Sequence, residues 1–489
     1  PAPAPRFLIT WALLGWLPCA ALGLLELPLR RSLGAGRGQA AALGGVCGLG
    51  WGLLLLSLAS PFRTLGALGP AALALGGALA GALVPTRGQP DARWRWAGLG
   101  LLSLVALAAL WADPEGRYSE RYAENRLSPA DLAAPSLLGE RTPSELSDLE
   151  LAGAVARTWL RTHPPEELRF SWEEAVALEG VLAWGERSGD PRPEAYARAW
   201  LAAHQEQALA EPLWADAAAP LGPLTRYVGP EHPVVARVAS YLRQDAPRTS
   251  TGVPSHVGLL AGGLLPAQAW VDSLFMHGVF VNRLATRHGE AWAEEEGQRL
   301  AQGMVAHLQD PAQGLFRHAH LELGPLALKL PVEACFWARG NGWAAWFLVD
   351  RWAARQAQGL PPDPELRQAA LELFAALRAA QQPEGLWRTD LLGAASQDNP
   401  TETSASALFL AAFARARRVG LTAPGADAEL LARGRRALRA QVSWERGHPI
   451  VRGTSTGTNP GFRAAYRGVA LDDNVGHGVG ALLLALTQD

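Results

Sequence analysis

The sequence predicts an all-α protein in two parts: a bundle of about four transmembrane helices, then a larger domain of serial helical hairpins. Three observations carry this. Four apolar runs, near residues 7–27, 39–60, 65–85 and 96–112, follow one another at the start of the chain. Beyond residue 150 apolar residues recur at helical spacing, and many of the runs stop at Gly or Pro. No strand-type alternation longer than a few residues interrupts them.

Each apolar run approaches the roughly 20 residues that a helix needs to cross a bilayer, the last being the shortest. A cleaved signal peptide would account for the first run only. Trp11, Trp51, Trp94, Trp96 and Trp111 fall mostly near run ends, where interfacial anchors sit. Arg30, Arg31 and Arg37 follow the first run, and Arg87, Arg93 and Arg95 follow the third. The other side of the membrane would carry Arg6 and Arg63, diluted by Arg117, Arg121 and Arg126 after the last run. The positive-inside rule then predicts a multi-pass cell-membrane protein whose C-terminal domain is extracytoplasmic, with the lipid bilayer as a partner. Glu26, near a run end, is the only acid within the spans, so they read as an anchor and not an ion path.

Residues 113–150 are polar and punctuated by Pro114, Pro129, Pro135 and Pro143, as a juxtamembrane linker would be. From 151 to 489 helical patterns fall near 151–162, 173–187, 194–209, 233–244, 266–286, 290–308, 343–357, 364–381, 403–418, 426–442 and 476–487. Such hairpins build either a solenoid or a closed helical toroid. No fixed-period repeat is visible, which favours the toroid.

Composition narrows the function. With 489 residues and a net charge of −2 and no basic tract, nucleic acid is excluded as a natural partner. Cys19 and Cys47 lie in apolar runs and Cys335 stands alone, so neither a disulfide framework nor a thiolate metal site can form. Isoleucine is nearly absent (Ile9, Ile450) while Ala and Leu dominate, which favours helices.

The chemistry concentrates in a few stretches. Trp337-Ala338-Arg339-Gly340-Asn341-Gly342-Trp343 sets two indoles around a guanidinium, an amide and two glycines. Indole faces stack on sugars and Arg339 can fork onto a carboxylate, while the glycines allow close backbone approach. Trp is abundant, with 19 residues, and Lys329 is the single lysine among 44 basic residues, so composition alone could also place these residues here. Asp272 lies in Trp270-Val271-Asp272-Ser273-Leu274-Phe275-Met276, an otherwise apolar helical segment. Desolvation there would raise its pKa and keep a general acid protonated, unless it is a helix N-cap or a solvated acid. His256 and His318 are candidates to bind hydroxyls or a water, and each taken singly also fits a structural role. His318 and His320 alternate without an acidic or cysteine partner at zinc spacing, so no metal ligand is assigned. Gly385-Leu386-Trp387 follows, and in Pro400-Thr401-Glu402-Thr403-Ser404 a threonine can cap a helix. Arg452-Gly453-Thr454-Ser455-Thr456-Gly457 suits a polar ligand or an ordinary turn, and His477 opens the last apolar helix.

The order of these pieces resembles the unsaturated glucuronyl and rhamnogalacturonyl hydrolases, glycoside hydrolase families 88 and 105. The matching stretches are Pro247-Arg248-Thr249, 270–276, Gly314-Leu315-Phe316-Arg317-His318, 337–343, Gly385-Leu386-Trp387, Glu402-Thr403-Ser404 and the closing glycine-rich helix start. They cover most of 151–489. The resemblance implies an (α/α)6 toroid of the six-hairpin glycosidase type whose cavity binds a non-reducing-end uronic acid with a ring double bond. Its implied chemistry is protonation of a vinyl ether by an aspartic acid, then hydration and release of the neighbouring sugar, with no cofactor and no metal. Carried over by position, Asp272 is the acid and base. His318, Arg339 and Trp343 line the uronate subsite, His256, Trp337 and Asn341 lie close by, and Ser455 and Thr456 are further binding candidates. The family also presents a second acid ahead of Pro247-Arg248-Thr249; Tyr227-Val228-Gly229-Pro230-Glu231-His232-Pro233 shows no clear aspartate, which leaves Glu231 and Asp216.

The expected function is a membrane-anchored glycoside hydrolase acting on lyase-generated oligosaccharides. Two other readings stay open: a non-catalytic glycan-binding or scaffold module on the same toroid, and a glycosidase for saturated sugars with paired carboxylates roughly 5–10 Å apart.

Overall fold

The computed structural model of the chain describes residues 125–211, 213–258, 266–323, 326–396 and 398–488. The chain divides into two compact units, Pro1–Glu124 and Asn125–Asp489, and the second is described here.

Local signals set the helices. Helix α1 (Asp148–Thr162) starts at a capping box in which Ser147 and Glu150 satisfy each other's amides. Helix α2 (Trp172–Ser188) ends on Gly189 in the left-handed region, φ 75°. There follow α3 (Arg192–Ala210), the single turn α4 (Leu221–Leu224) and α5 (Pro233–Ser240). Then come α6 (Gly278–His288), α7 (Ala291–Leu308), α8 (Ala338–Ala357) and α9 (Pro364–Ala380). The last are α10 (Thr403–Arg418), α11 (Ala428–Ala440) and α12 (Gly476–Leu486).

The even-numbered helices form a closed ring. Helix α2 packs on α4, α4 on α6, α6 on α8, α8 on α10, α10 on α12, and α12 returns to α2. The odd-numbered helices lie outside, α1 on α2 and α12, α3 on α2, α7 on α6, α9 on α8 and α11 on α10, with α5 against α3. This is an (α/α)6 toroid. The ring closes because α12 is apolar on every side, with all residues after Gly476 buried. Gly180 and Gly480 let α12 touch α2 backbone to backbone, since a Cβ on Gly480 would lie 1.9 Å from the Val176 carbonyl.

Short antiparallel ladders fill the connections. Strands β1 (Gln268–Trp270), β2 (Ala319–Leu323) and β3 (Leu326–Leu330) form one sheet in that order. Two-stranded pairs follow: β4 (Trp387–Arg388) with β5 (Thr401–Glu402), β6 (Val442–Glu445) with β7 (His448–Val451), and β8 (Thr454–Ser455) with β9 (Leu471–Asp472). Residues 125–147 lie against this domain. Leu137 donates to the Gly447 carbonyl at 3.0 Å, His448 Nε2 to Ala134 at 3.0 Å, and Arg439 to Leu146 at 2.7 Å.

Two sequence expectations are corrected here. The helix expected over 266–286 is instead strand β1, a turn through Val271 and Asp272, the short helix Ser273–Met276, and α6. Helical periodicity could not reveal that β1 pairs with a strand fifty residues later, Ala269 opposite His320. The helix expected from 343 begins at Ala338, so Gly340 and Gly342 are helical. Their missing side chains make room for Trp337, Val271 and Leu408.

The membrane architecture is also corrected. No helix among the described residues is long and apolar enough to cross a membrane. Helix α12 has 11 residues, about 16 Å at 1.5 Å per residue against a hydrocarbon core of about 30 Å. Helix α8 has 20 residues but carries Arg339, Asp350, Arg351 and Arg355. The four expected spans, near 7–27, 39–60, 65–85 and 96–112, lie outside the described residues. The fold class shown is therefore the toroid, and no helix among the described residues supports a transmembrane bundle. The multi-pass cell-membrane localisation, the extracytoplasmic orientation and the bilayer as partner are withdrawn with it.

Candidate active site

Asp272 occupies the turn between β1 and the short helix Ser273–Met276, with φ −57° and ψ −36°. The backbone holds this turn from both sides. Val271 donates to the His318 carbonyl at 2.8 Å, and His318 donates in turn to the Leu330 carbonyl at 2.9 Å. The imidazole of His318, fully buried, reaches Asp272 Oδ2 through Nε2 at 3.0 Å, while 15% of the Asp272 side chain stays open to solvent. The indole of Trp337 stacks on His318 with centroids 4.3 Å apart.

A buried phenol fixes the histidine tautomer. Tyr466 Oη accepts from the Gly461 amide at 3.0 Å and lies 3.0 Å from His318 Nδ1. Burial pushes the Tyr466 phenol well above its ordinary pKa, so it keeps its proton. With one lone pair used by Gly461, that proton goes to Nδ1, which leaves Nε2 as the N–H that donates to Asp272.

The charge state of Asp272 departs from the sequence expectation. Burial pushes its carboxyl up, but the Nε2–H of His318 pulls it down electrostatically and by hydrogen bond, helped by His256 and Arg339. The net direction is below the usual carboxylate value, so Asp272 is ionised at neutral pH. The apolar neighbours in sequence announced the desolvation; the histidine that precedes β2 could not be seen there.

A second carboxylate–imidazole pair stands beside the first. His256 Nδ1 lies 2.9 Å from Ser273 Oγ, and Nε2 lies 3.6 Å from Asp216 Oδ1. Trp270 stacks on the His256 ring at 4.3 Å and Trp214 meets it edge-on. The backbone links Ala215 to the His256 carbonyl at 3.0 Å, and His256 to the Gln268 carbonyl at 2.8 Å. Of the two acids considered for this neighbourhood, Asp216 is the one that the fold delivers, while Glu231 sits exposed.

The other candidates divide by what they touch. The Arg339 guanidinium donates to the Ser455 carbonyl at 2.8 Å, the Ser455 hydroxyl, the Thr456 carbonyl at 2.9 Å and Thr458 at 3.3 Å. It lies over the Trp337 ring at 4.7 Å and 4.0 Å from Glu402. Ser455 and Thr456 thus belong to a loop that Arg339 organises. Glu402 caps α10 through Ser404 and Ala405 and accepts the Ser455 amide at 2.8 Å, which makes it the cap where a threonine was expected. His477 closes the loop by donating Nε2 to the Ser455 carbonyl at 2.9 Å. Asn341 is fully buried and uses both ends of its amide on Phe316 and Trp337 backbone, so it clips the strand that delivers His318. Trp343 is fully buried against Phe275.

Trp214 and Tyr466 were not singled out in the sequence, and Asp216 was only one of two options. Each stands alone among ordinary neighbours, far along the chain from the groups it meets. A hollow of about 730 Å³ between Arg157, Trp184 and Arg192 contains none of the groups described above.

Comparison with known proteins bears on the family and the fold. The family model for Glycosyl Hydrolase Family 88 matches residues 152–488. The unsaturated rhamnogalacturonyl hydrolase YesR of Bacillus subtilis is 32% identical over 179 residues, which is 35% of this chain and 48% of that protein. Protein Atu3128 of Agrobacterium fabrum is 37% identical over 138 residues, 26% of this chain and 56% of that one. The chain thus spans about half the length of the curated relatives it matches. A solved structure of a possible glycoside hydrolase family 105 member from Klebsiella pneumoniae shares the fold, with a TM-score of 0.60 at 22% identity over 74% of this chain and 96% of that one.

Proposed function

The chain belongs to Glycosyl Hydrolase Family 88, and on that premise we propose that it removes an unsaturated uronic acid from the non-reducing end of lyase-generated oligosaccharides. The observation that carries this reading is Asp272, partly open to solvent and held at 3.0 Å by His318, whose ring packs against Trp270 and Trp337. A vinyl ether needs one proton donor that can later take a proton back from water, and a single carboxyl does both.

In this reading the carboxyl of Asp272 gives its proton to ring carbon four, and positive charge develops at ring carbon five and the ring oxygen. Water adds at carbon five and returns a proton to the Asp272 carboxylate. The resulting hemiketal opens and releases the neighbouring sugar, so the net change is the addition of one water. His318 and Trp337 shape the uronate subsite, Trp343 packs behind it on Phe275, and His256 with Asp216 faces its hydroxyls. Arg339 supplies positive charge and holds Ser455 and Thr456 in place.

The ionised resting state of Asp272 then has a consequence. The arriving uronate brings its own negative charge and displaces water, and both raise the carboxyl pKa. The substrate therefore helps to load the acid. The test is to give the full chain a panel of unsaturated disaccharides from pectin, ulvan and glycosaminoglycan lyases and follow the ultraviolet absorbance of the double bond. Loss of absorbance with one of them supports the reading and names the substrate class. Calorimetric binding without any loss across the panel returns the protein to the non-catalytic module.

Tyr466→Phe tests the proton network. Without the phenol, Nδ1 can take the proton and turn the Nε2 lone pair toward Asp272, which then favours a protonated carboxyl. The alkaline limb of the kcat/KM profile is expected to move to higher pH. The rate at the optimum should fall about tenfold, the worth of one buried hydrogen bond of roughly 1–1.5 kcal/mol. A profile that keeps its position would remove Tyr466 from the network.

A further inference from the structure

We propose that His307, His320 and Glu322 form a binding site for one divalent transition-metal ion of the zinc type. One nitrogen of each imidazole and a carboxylate oxygen of Glu322 all lie within 4.8 Å of one another. His307 Nε2 is 3.8 Å and His320 Nε2 3.7 Å from Glu322 Oε1. Two neutral imidazoles and a carboxylate are a common zinc donor set, with bonds of roughly 2.0–2.2 Å. Ligand atoms around such an ion stand about 3.3–3.5 Å apart, so the three groups need to close by at most about 1.5 Å.

The three side chains converge for reasons built into the fold. His320 and Glu322 are two apart on β2 and share a face of the hairpin. His307 comes from the last turn of α7. The carboxylate is already aimed, because Ser250 donates its amide at 2.9 Å and its hydroxyl at 2.7 Å to Glu322. Such outer contacts orient metal ligands. Both histidines are buried, and His320 Nδ1 has no hydrogen-bond partner among the described residues.

The protonation states suit a cation. Burial pushes His307 down to about 4 and His320 below its ordinary value, so both rings are neutral at pH 7. Burial pushes Glu322 up, but Ser250 and the two histidines pull it below its ordinary value. Two features oppose binding. The imidazoles stack at 4.1 Å and 21°, so they must splay, and His307 must exchange its 2.6 Å contact with the Thr251 hydroxyl for the ion. Lys329, paired with His320 across the hairpin, places positive charge near both rings.

The site is separate from Asp272 but adjoins it along the chain, since His318 lies just before β2 and two residues before His320. An ion there would tie β2 to α7 and, through Ser250, to the turn after Arg248. The role is structural, and it does not depend on the reaction proposed above. The sequence reading assigned no metal ligand here, because it connected His320 with neither Glu322 nor His307.

The experiment uses the full chain, stripped with a chelator and titrated with Zn²⁺ by calorimetry and with Co²⁺ by visible absorption. We expect one equivalent, ligand-field bands stronger than those of the aqueous ion, and a rise in melting temperature. His320→Ala and Glu322→Gln should each weaken binding by at least the roughly 10–100-fold that loss of an outer-shell partner costs. Lys329→Gln should tighten it, and Asp272→Asn should leave it unchanged. Circular dichroism of each metal-free variant checks that it is folded. Absence of Co²⁺ bands at millimolar ion overturns the site, as does binding that survives in folded Glu322→Gln and His320→Ala.

Discussion

Asp272→Asn is expected to lower kcat by about 10²–10⁴-fold, the usual worth of a general acid–base, while leaving the protein folded. Asparagine keeps the shape of the side chain and accepts the His318 Nε2–H through its amide oxygen, so the 3.0 Å contact can persist. What it loses is the exchangeable proton. Since one group serves both the protonation and the hydration, no partial reaction should survive. Wild-type turnover in a folded variant would reassign the acid, with Asp216 the next candidate by its place beside His256.

The pH dependence separates this acid from an ordinary one. The chemistry needs the protonated carboxyl, and the free protein holds that carboxyl below the usual range. The kcat/KM profile, which reports the free protein, should therefore rise as pH falls. The kcat profile reports the complex, where the uronate charge raises the same carboxyl, so its alkaline limb should lie at higher pH. The sign reverses for stability. A depressed carboxyl contributes stability above its ordinary pKa and loses it as pH falls through the folded value. Activity and stability thus pull in opposite directions at acid pH. Profiles of kcat and kcat/KM that coincide would contradict loading by substrate.

What the sequence made legible follows from the range of the interactions involved. Helix caps, glycine stops and apolar periodicity act within a few residues, so α7, α9 and α10 begin and end close to their expected positions. The cluster around Asp272 joins residues from 216 to 466, and those distances are set only when the ring closes. For the same reason Gly340 and Gly342, expected to let a ligand approach the backbone, are instead part of a helix. Gly340 and Gly342 are small because Val271 and Leu408 press on the helix, which no local pattern reveals. Apolar runs are ambiguous in a further way: a helix such as α12 is apolar on all sides because six inner helices surround one core.

Arg339→Met tests the organising role of the buried guanidinium. Methionine fills much of the space but takes the guanidinium from the Ser455 and Thr456 carbonyls, which keep His477 and Thr458 as donors, and leaves Glu402 without a cation 4.0 Å away. Breaking one side of a buried charge pair costs about 3–5 kcal/mol, so the urea midpoint should fall clearly. Arg339→Lys is expected to recover little of this, because an ammonium cannot fork across two carbonyls and a hydroxyl while lying over the Trp337 ring. Turnover should fall with stability, since Ser455 is also held by Glu402 and His477 and all three contacts meet at one loop. If instead only KM rises and the urea midpoint stays where it was, the guanidinium turns toward the substrate carboxylate in the complex, and the loop stands without it.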